Sequence, residues 1–142
     1  MFDLNKLEIQ DSAKYHVTDA KGDPQYEGET PITITIASPG TKKAAKAVFK
    51  RDEARSARVL GSMAGKTSKR TEIDEAKERA DFLVDITESL DGFEYPGGAR
   101  AIYMNPKLGH IAEGVEKLFN DRGNFSADSA INSSNTSAML PG

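Results

Sequence analysis

The sequence predicts an α+β fold in which an N-terminal β-hairpin packs on a mainly helical bundle of about three to four helices, followed by a disordered C-terminal tail. Ile32, Ile34 and Ile36 alternate with threonines, which is the period of a strand with one buried face. Longer segments further along repeat apolar residues at helical spacing. Because 142 residues is an ordinary size for one domain, we expect a single domain over residues 1–125 and a tail over residues 126–142.

The first predicted element is the hairpin. Residues Ala13 to Thr18 have the composition of a strand, and Asp19 to Pro24 form a cluster of turn-forming residues. The isoleucine strand follows, so the two strands should pair across a long connection that ends at Pro31. An isolated hairpin is only marginally stable, so we expect this one to pack on a helix or on the strands of another copy.

A basic helix should follow the isoleucine strand. Ser38-Pro39-Gly40 ends the strand, and Thr41 is suited to cap a helix that runs to about Leu60. The apolar stripe of this helix should contain Ala45, Val48, Phe49, Ser56, Val59 and Leu60. Residues 61–69 are small and polar and contain glycine, so we expect a flexible connection there.

Two more helices and a short helical turn are predicted in the second half of the chain. One amphipathic helix should run from Glu72 to Leu90, with Thr71 as its cap and Asp91-Gly92 as its end. A short turn around Ala101 to Met104 precedes a last helix, which opens at Asn105-Pro106 and runs to about Asn120. The core should join the isoleucines to the apolar sides of these helices: Leu83, Ile86, Ile111, Val115, Leu118 and Phe119, with Phe125 as an anchor. Residues 126–142 are rich in Ser, Asn and Ala and carry one charge, which is typical of disorder.

The composition excludes several classes of site. The chain has no cysteine, so disulfides, thiolate catalysis and zinc sites with cysteine ligands are excluded. No apolar run approaches the roughly 20 residues that cross a bilayer, so we do not expect a membrane protein. The N-terminal residues carry Asp3 and Glu8 and lack the pattern of a signal peptide.

Charge is strongly segregated along the chain. Residues 42–70 contain ten Lys or Arg and two Asp or Glu, a balance of +8, whereas residues 71–94 contain nine acidic and two basic residues, a balance of −7. Blocks of opposite sign attract each other, either within a chain or between copies. We therefore predict partner-binding residues on the two helices that carry these blocks: Lys46, Lys50, Arg51, Arg55, Arg58, Glu78, Asp81 and Asp85.

Candidate catalytic, cofactor and metal sites are each weaker than a structural interpretation. Residues 61–67, Gly-Ser-Met-Ala-Gly-Lys-Thr, have three residues between glycines where a phosphate-binding loop needs four, and a helix precedes them. His16 and His110 have no second histidine at ligand spacing. The pairs Asp74/Glu75 and Asp81/Asp85 are expected on a solvated helix face rather than in a pocket that would perturb the carboxyl pKa values. We therefore predict no catalytic residue, no cofactor and no metal.

The order of these elements resembles the tail assembly chaperones of long-tailed bacteriophages. The similarity spans residues 13–125 and lies in five short motifs: Gly22 to Pro24, Ile32 to Thr41, Gly92-Phe93, Tyr103 to Asn105 and Ile111 to Phe125. The resemblance implies a non-enzymatic protein in the host bacterial cytoplasm that coats the long helical tape measure protein, recruits tail-tube subunits and self-associates. A longer frameshifted form is also made in some members of this family.

Two other functions remain open at this point. A structural head–tail or tail component would stay in the mature particle, and a small nucleic-acid-binding regulator would use the basic helix to follow a phosphate backbone. Phe49 is the only aromatic residue of that helix, and the whole chain is acidic with a net charge of −3. Protein association is therefore the more economical use of the basic block.

Overall fold

The computed structural model describes residues 3–63, 65 and 72–126. Within these residues the chain forms five strands and four α-helices, joined in places by short 3₁₀ turns. They are β1 (Ser12–His16), β2 (Tyr26–Glu27), β3 (Thr30–Pro31), β4 (Thr33–Ala37), α1 (Lys42–Met63), α2 (Glu72–Ile86), β5 (Thr87–Asp91), α3 (Gly98–Met104) and α4 (Gly109–Asn120). The predicted α+β class is confirmed. The predicted disordered tail lies outside the described residues from residue 127 onward, and Ser126 still belongs to the last turn, where its N–H donates to the Gly123 carbonyl.

The predicted hairpin forms as expected. β1 and β4 pair antiparallel, with Ala13 opposite Ile36 and Tyr15 opposite Ile34. Their connection carries the small antiparallel pair of β2 and β3. Ile34 and Ile36 are fully buried, so the alternating pattern identified the face of β4 that packs on the helices.

The long acidic helix is shorter than the sequence predicts. The predicted helix extends to Leu90, but α2 ends at Ile86. The next five residues form β5, which pairs antiparallel with β4. The reason lies in the sheet, because β4 would otherwise leave one edge of its backbone unpaired next to the core. The junction is fixed by Thr87, whose hydroxyl donates to the Leu83 carbonyl at 2.7 Å and lies 2.7 Å from the Tyr103 hydroxyl.

The basic helix begins where the sequence predicts and ends later. The Thr41 hydroxyl accepts a hydrogen bond from the Ala44 N–H at 3.1 Å, which confirms Thr41 as the N-cap. The helix continues to Met63 instead of Leu60, so the first residues of the predicted flexible connection are helical. The predicted cap Thr71 of the following helix lies outside the described residues.

The buried side of α1 differs from the predicted stripe. Ala44 and Ala47 are buried, whereas Phe49 is 69 % exposed and Leu60 is 65 % exposed. Small alanine side chains let α1 approach the rest of the fold closely, and the C-terminal half of the helix runs beyond the core. The larger apolar residues therefore lie on the opposite side, in contact with solvent.

The core joins the sheet to α2, α3 and α4. Ile34, Leu83, Ile86, Val115 and Phe119 belong to one buried cluster, as predicted. Phe125 is fully buried, which confirms it as an anchor, and Leu118 is half-buried at the edge. The last helix starts later than predicted, because a 3₁₀ turn (Pro106–Leu108) follows Asn105 before α4 begins.

Helix α4 lies along β1. A Cβ atom added to Gly114 would come within 2.5 Å of the Tyr15 ring, so glycine is needed where this ring crosses the helix. At one end of α4 the His110 Nε2 atom lies 3.0 Å from the Thr18 carbonyl oxygen. Beyond the other end, the Gln10 N–H donates to the Phe125 carbonyl at 2.6 Å. None of the helices within the described residues combines the length and apolar character that a membrane crossing requires.

Candidate partner-binding surface

The two charged helices pair with each other inside one chain. Lys50 Nζ lies 3.6 Å from Asp85 Oδ2, and Glu78 lies between two arginines of α1. Arg55 Nε is 3.4 Å from Glu78 Oε1, and Arg58 Nη2 is 2.9 Å from Glu78 Oε2. The basic and acidic blocks therefore form an antiparallel helical hairpin, which is one of the two arrangements that the charge pattern allows.

The remaining predicted residues have different surroundings. Asp81 pairs with Arg100 of α3, a residue that the sequence did not single out. The Arg51 guanidinium lies 4.3 Å above the Phe82 ring, in the range of a cation–π contact, and its Nε is 3.6 Å from Asp52 Oδ1. Lys46 is exposed and lines a shallow surface depression.

We expect Asp81 and Asp85 on a solvated helix face, and their side chains are in part open to solvent there. Both carboxylates are partly covered by the basic side chains that they pair with, and their side chains keep 40 % and 37 % of their exposure. Ion pairs at this degree of exposure contribute little individually, about 0–1 kcal/mol each. Whether any of the eight predicted residues also contacts a neighbouring molecule stays a prediction.

The exposed side of α1 carries a row of large apolar residues. We call Phe49, Val59, Leu60 and Met63 the apolar face of α1; they are 69 %, 58 %, 65 % and 79 % exposed. At about 100° per residue, Ala47 and Ala54, which lie beside α2, point roughly 140–160° away from Phe49. The apolar face is thus opposite the side that packs within the chain.

A groove continues the apolar face at its N-terminal end. It has a volume of about 530 Å³, and its lining combines apolar residues of α1 with the end of α4: Pro39, Ala45, Val48, Phe49, Asp52, Phe119, Asn120 and Arg122. Asp52 and Arg122 provide the charges of this lining. From Ala45 to Met63 the surface extends over about 27 Å of helix, enough for five turns of a second helix.

Exposed apolar residues of this size and spacing need an explanation. Single exposed apolar side chains are ordinary, but four large ones on the same side of one helix are typical of a surface that binds another protein. The described residues also expose Leu4 and Leu7, on the 3₁₀ turn Leu4–Leu7, away from α1 in sequence. Substitutions at these two leucines can therefore serve as controls for substitutions on the apolar face of α1.

The histidines contact backbone carbonyl groups. His16 Nε2 lies 2.9 Å from the Gln25 carbonyl oxygen, and the His16 ring packs edge-on against Tyr26 with 4.9 Å between centroids. Across residues 3–63, 65 and 72–126, no three His, Asp or Glu residues come together as a metal site would require. Of the glycine-containing motif over residues 61–67, Gly61–Met63 form the end of α1, and Lys66 and Thr67 lie outside the described residues.

One hydrogen-bonded carboxylate joins two strands. Asp91 on β5 accepts hydrogen bonds from Thr35 at 2.5 Å and from Ser89 at 2.9 Å. Burial alone would raise the pKa of Asp91, but these hydrogen bonds and the nearby charge of Lys14 outweigh it, so its pKa lies below the ordinary value. On the other side of the sheet, burial raises the pKa of Tyr103 even though its hydroxyl is bonded to Thr87. Both groups join elements of the fold through their hydrogen bonds.

The sequence did not identify the apolar face as a binding surface, because it assigned Phe49, Val59 and Leu60 to the core. One signal was present, because Asp52 interrupts this stripe. A second stripe on the other side of α1 contains the small residues Ala44, Ala47 and Ala54. Comparison of the chain with protein-family models, with curated proteins and with solved structures gave no match.

Proposed function

We propose that this protein is a non-enzymatic chaperone of the tail assembly type, and that it binds a helical segment of its client along the apolar face of α1. The observation that carries the proposal is the set of Phe49, Val59, Leu60 and Met63 on the side of α1 that the described residues leave exposed. An amphipathic helix laid on these residues would remove apolar surface of both molecules from water, which is the main favourable term in such association.

The client in this proposal is the tape measure protein of a long-tailed bacteriophage, with tail-tube subunits as a second partner and the host cytoplasm as the location. The order of elements over residues 13–125, on which the resemblance rests, supports this assignment. A protein that coats a long helix needs a surface that is apolar, elongated and parallel to a helix axis. The 27 Å length of the apolar face with its groove meets that need.

Self-association is part of the same proposal. The charges that a head-to-tail contact between copies would use, among them Lys50, Arg58 and Glu78, lie in intrachain pairs. The same pairing leaves fewer basic groups for a phosphate backbone, so no observation favours the nucleic-acid alternative over protein binding. Because these charges are already paired within one chain, contacts between copies would be a second interaction beside client binding on the apolar face of α1.

Co-expression tests the proposal. The chain is produced together with the products of the reading frames that neighbour its gene and is purified through a tag. We expect a long helical protein to co-purify with the native chain and to be lost with the double variant F49S/L60S. The variant L4S/L7S removes a similar exposed apolar area elsewhere and should retain the partner. Equal retention by both variants would contradict the proposal.

A further inference from the structure

Two carboxylates interrupt the apolar face of α1. Asp52 and Glu53 lie between Phe49 and Val59 along the helix, both are exposed, and the Asp52 side chain keeps 59 % of its exposure beside Arg51. At seven-residue spacing, Asp52 shares a line along α1 with Val59, and Glu53 shares one with Leu60. A helix bound to the apolar residues must therefore also cover these two carboxylates.

Covering them with apolar side chains alone would be unfavourable. A carboxylate that loses water without gaining a partner costs more free energy than the apolar contacts around it return. A cation placed against Asp52 and Glu53 removes that cost. The two carboxylates thus select against a uniformly apolar helix and in favour of one with a basic residue at this level.

Lysines occupy the same face two turns earlier. Lys42 and Lys46 are exposed, and Lys46 precedes Glu53 by seven residues, or about 10 Å along the axis. The charge order along α1 is therefore positive, then Phe49, then negative. A complementary helix would present an acidic residue to the lysines and a basic residue to the carboxylates.

We propose that the apolar face of α1 selects a client helix whose apolar stripe carries a basic residue opposite Asp52 and Glu53 and an acidic residue about two turns away, opposite Lys42 and Lys46. This inference rests on the proposed function, since it specifies the chemistry of the helix that the same surface binds. In this proposal the carboxylates and the lysines of α1 determine which helix is bound, and the apolar residues supply the affinity.

The test uses two fluorescent synthetic helical peptides of about 20 residues. Both carry the same apolar stripe. The first has a central Lys with a Glu seven residues away, and the second has Gln at both of these positions. In fluorescence anisotropy titrations at low salt, the full chain should bind the charged peptide about tenfold more tightly than the Gln peptide, and the preference should weaken with added salt.

A charge-reversed chain supplies the decisive comparison. The double variant D52K/E53K should lose or invert the preference between the peptides, whereas E27K/E29K, which changes net charge equally on the distant β2–β3 hairpin, should keep it. A circular dichroism melt establishes that both variants are folded. Equal affinity of the native chain for the two peptides, or an unchanged preference in D52K/E53K, would overturn this inference and leave the proposed function intact. Failure of the native chain to bind either peptide would contradict both.

Discussion

Arg58 on α1 lies 2.9 Å from Glu78 on α2, and this contact closes the two charged blocks of the sequence on each other within one chain. Glu78 also accepts from Arg55, so one carboxylate holds two guanidinium groups. The C-terminal half of α1 extends beyond the core, and ion pairs are prominent among the contacts that hold it to α2.

Replacing Glu78 with Gln should destabilise the helical hairpin. We expect the free energy of unfolding to fall by about 1 kcal/mol at low salt, because two arginines lose their shared partner. The loss should shrink as sodium chloride approaches about 1 M, where the screening length is roughly 3 Å. Urea unfolding at both salt concentrations measures this, with the exposed Glu53→Gln as control. A loss that does not change with salt would show that the contact stabilises by packing instead.

The Asp91 carboxylate should contribute to stability in a pH-dependent way. Its pKa in the folded state lies below the ordinary value of about 3.9, so its contribution is complete above that pH and is lost as the pH falls through the folded-state pKa. Asp91→Asn should therefore cost about 1 kcal/mol at pH 7 and progressively less below pH 4. Urea unfolding from pH 7 to pH 2.5 tests this.

The matched control for Asp91 is Glu88→Gln, an exposed carboxyl on the same strand, which should leave the acid profile unchanged. Thr35→Val should reproduce part of the Asp91 effect, since it removes one donor at nearly constant volume. If Asp91→Asn shifts stability equally at every pH, the carboxylate is not the group that titrates between the two states.

Close packing of α4 on β1 should make Gly114 intolerant of substitution. In Gly114→Ala the new methyl group would lie within 2.5 Å of Tyr15, so either the ring or the helix must move. We expect a loss of about 1–3 kcal/mol in the free energy of unfolding. The same substitution in a Tyr15→Ala background should cost less, because the clash is gone. Equal costs in both backgrounds would mean that the helix, and not the ring, limits the space.

Phe125 and the residues that follow Ser126 should differ in their contribution to stability. Phe125 is fully buried, so Phe125→Ala should cost about 3–5 kcal/mol. Truncation after Ser126 should leave the thermal midpoint nearly unchanged, because the sequence beyond it has no apolar face to pack. Thermal denaturation of both forms checks this, and a large drop on truncation would mean that the tail docks on the domain or on a neighbouring copy.

Much of the fold could be predicted because local chemistry and tertiary structure agree. The alternation at Ile34 and Ile36, the cap at Thr41 and the anchor Phe125 each follow from a short stretch of sequence. Strand β5 could not be predicted, because Leu83, Ile86 and Leu90 continue a helical pattern and only the unpaired edge of β4 makes the chain turn into the sheet. Propensity gives way to tertiary context at such a position.

The candidate site was harder to predict than the fold. Helix α1 has apolar residues on two sides, alanines on one and larger side chains on the other. Hydrophobicity alone favours burial of the larger side, but the close approach of α2 requires the smaller one, so Phe49 and Leu60 are exposed. The pairing of charges was predictable in kind, whereas the choice between pairing within a chain and between copies depends on the length and course of the two helices.

Site-specific crosslinking shows whether the partner lies on the apolar face of α1. The chain has no cysteine, so one introduced cysteine is a unique attachment point for a maleimide photo-crosslinker. We expect the label at Leu60→Cys to crosslink to the co-expressed helical partner in the purified complex. The label at Leu4→Cys, which is similarly exposed but distant in sequence, should not crosslink to it. Crosslinking from Leu4→Cys without any from Leu60→Cys would contradict the assignment of the apolar face of α1 as the binding surface.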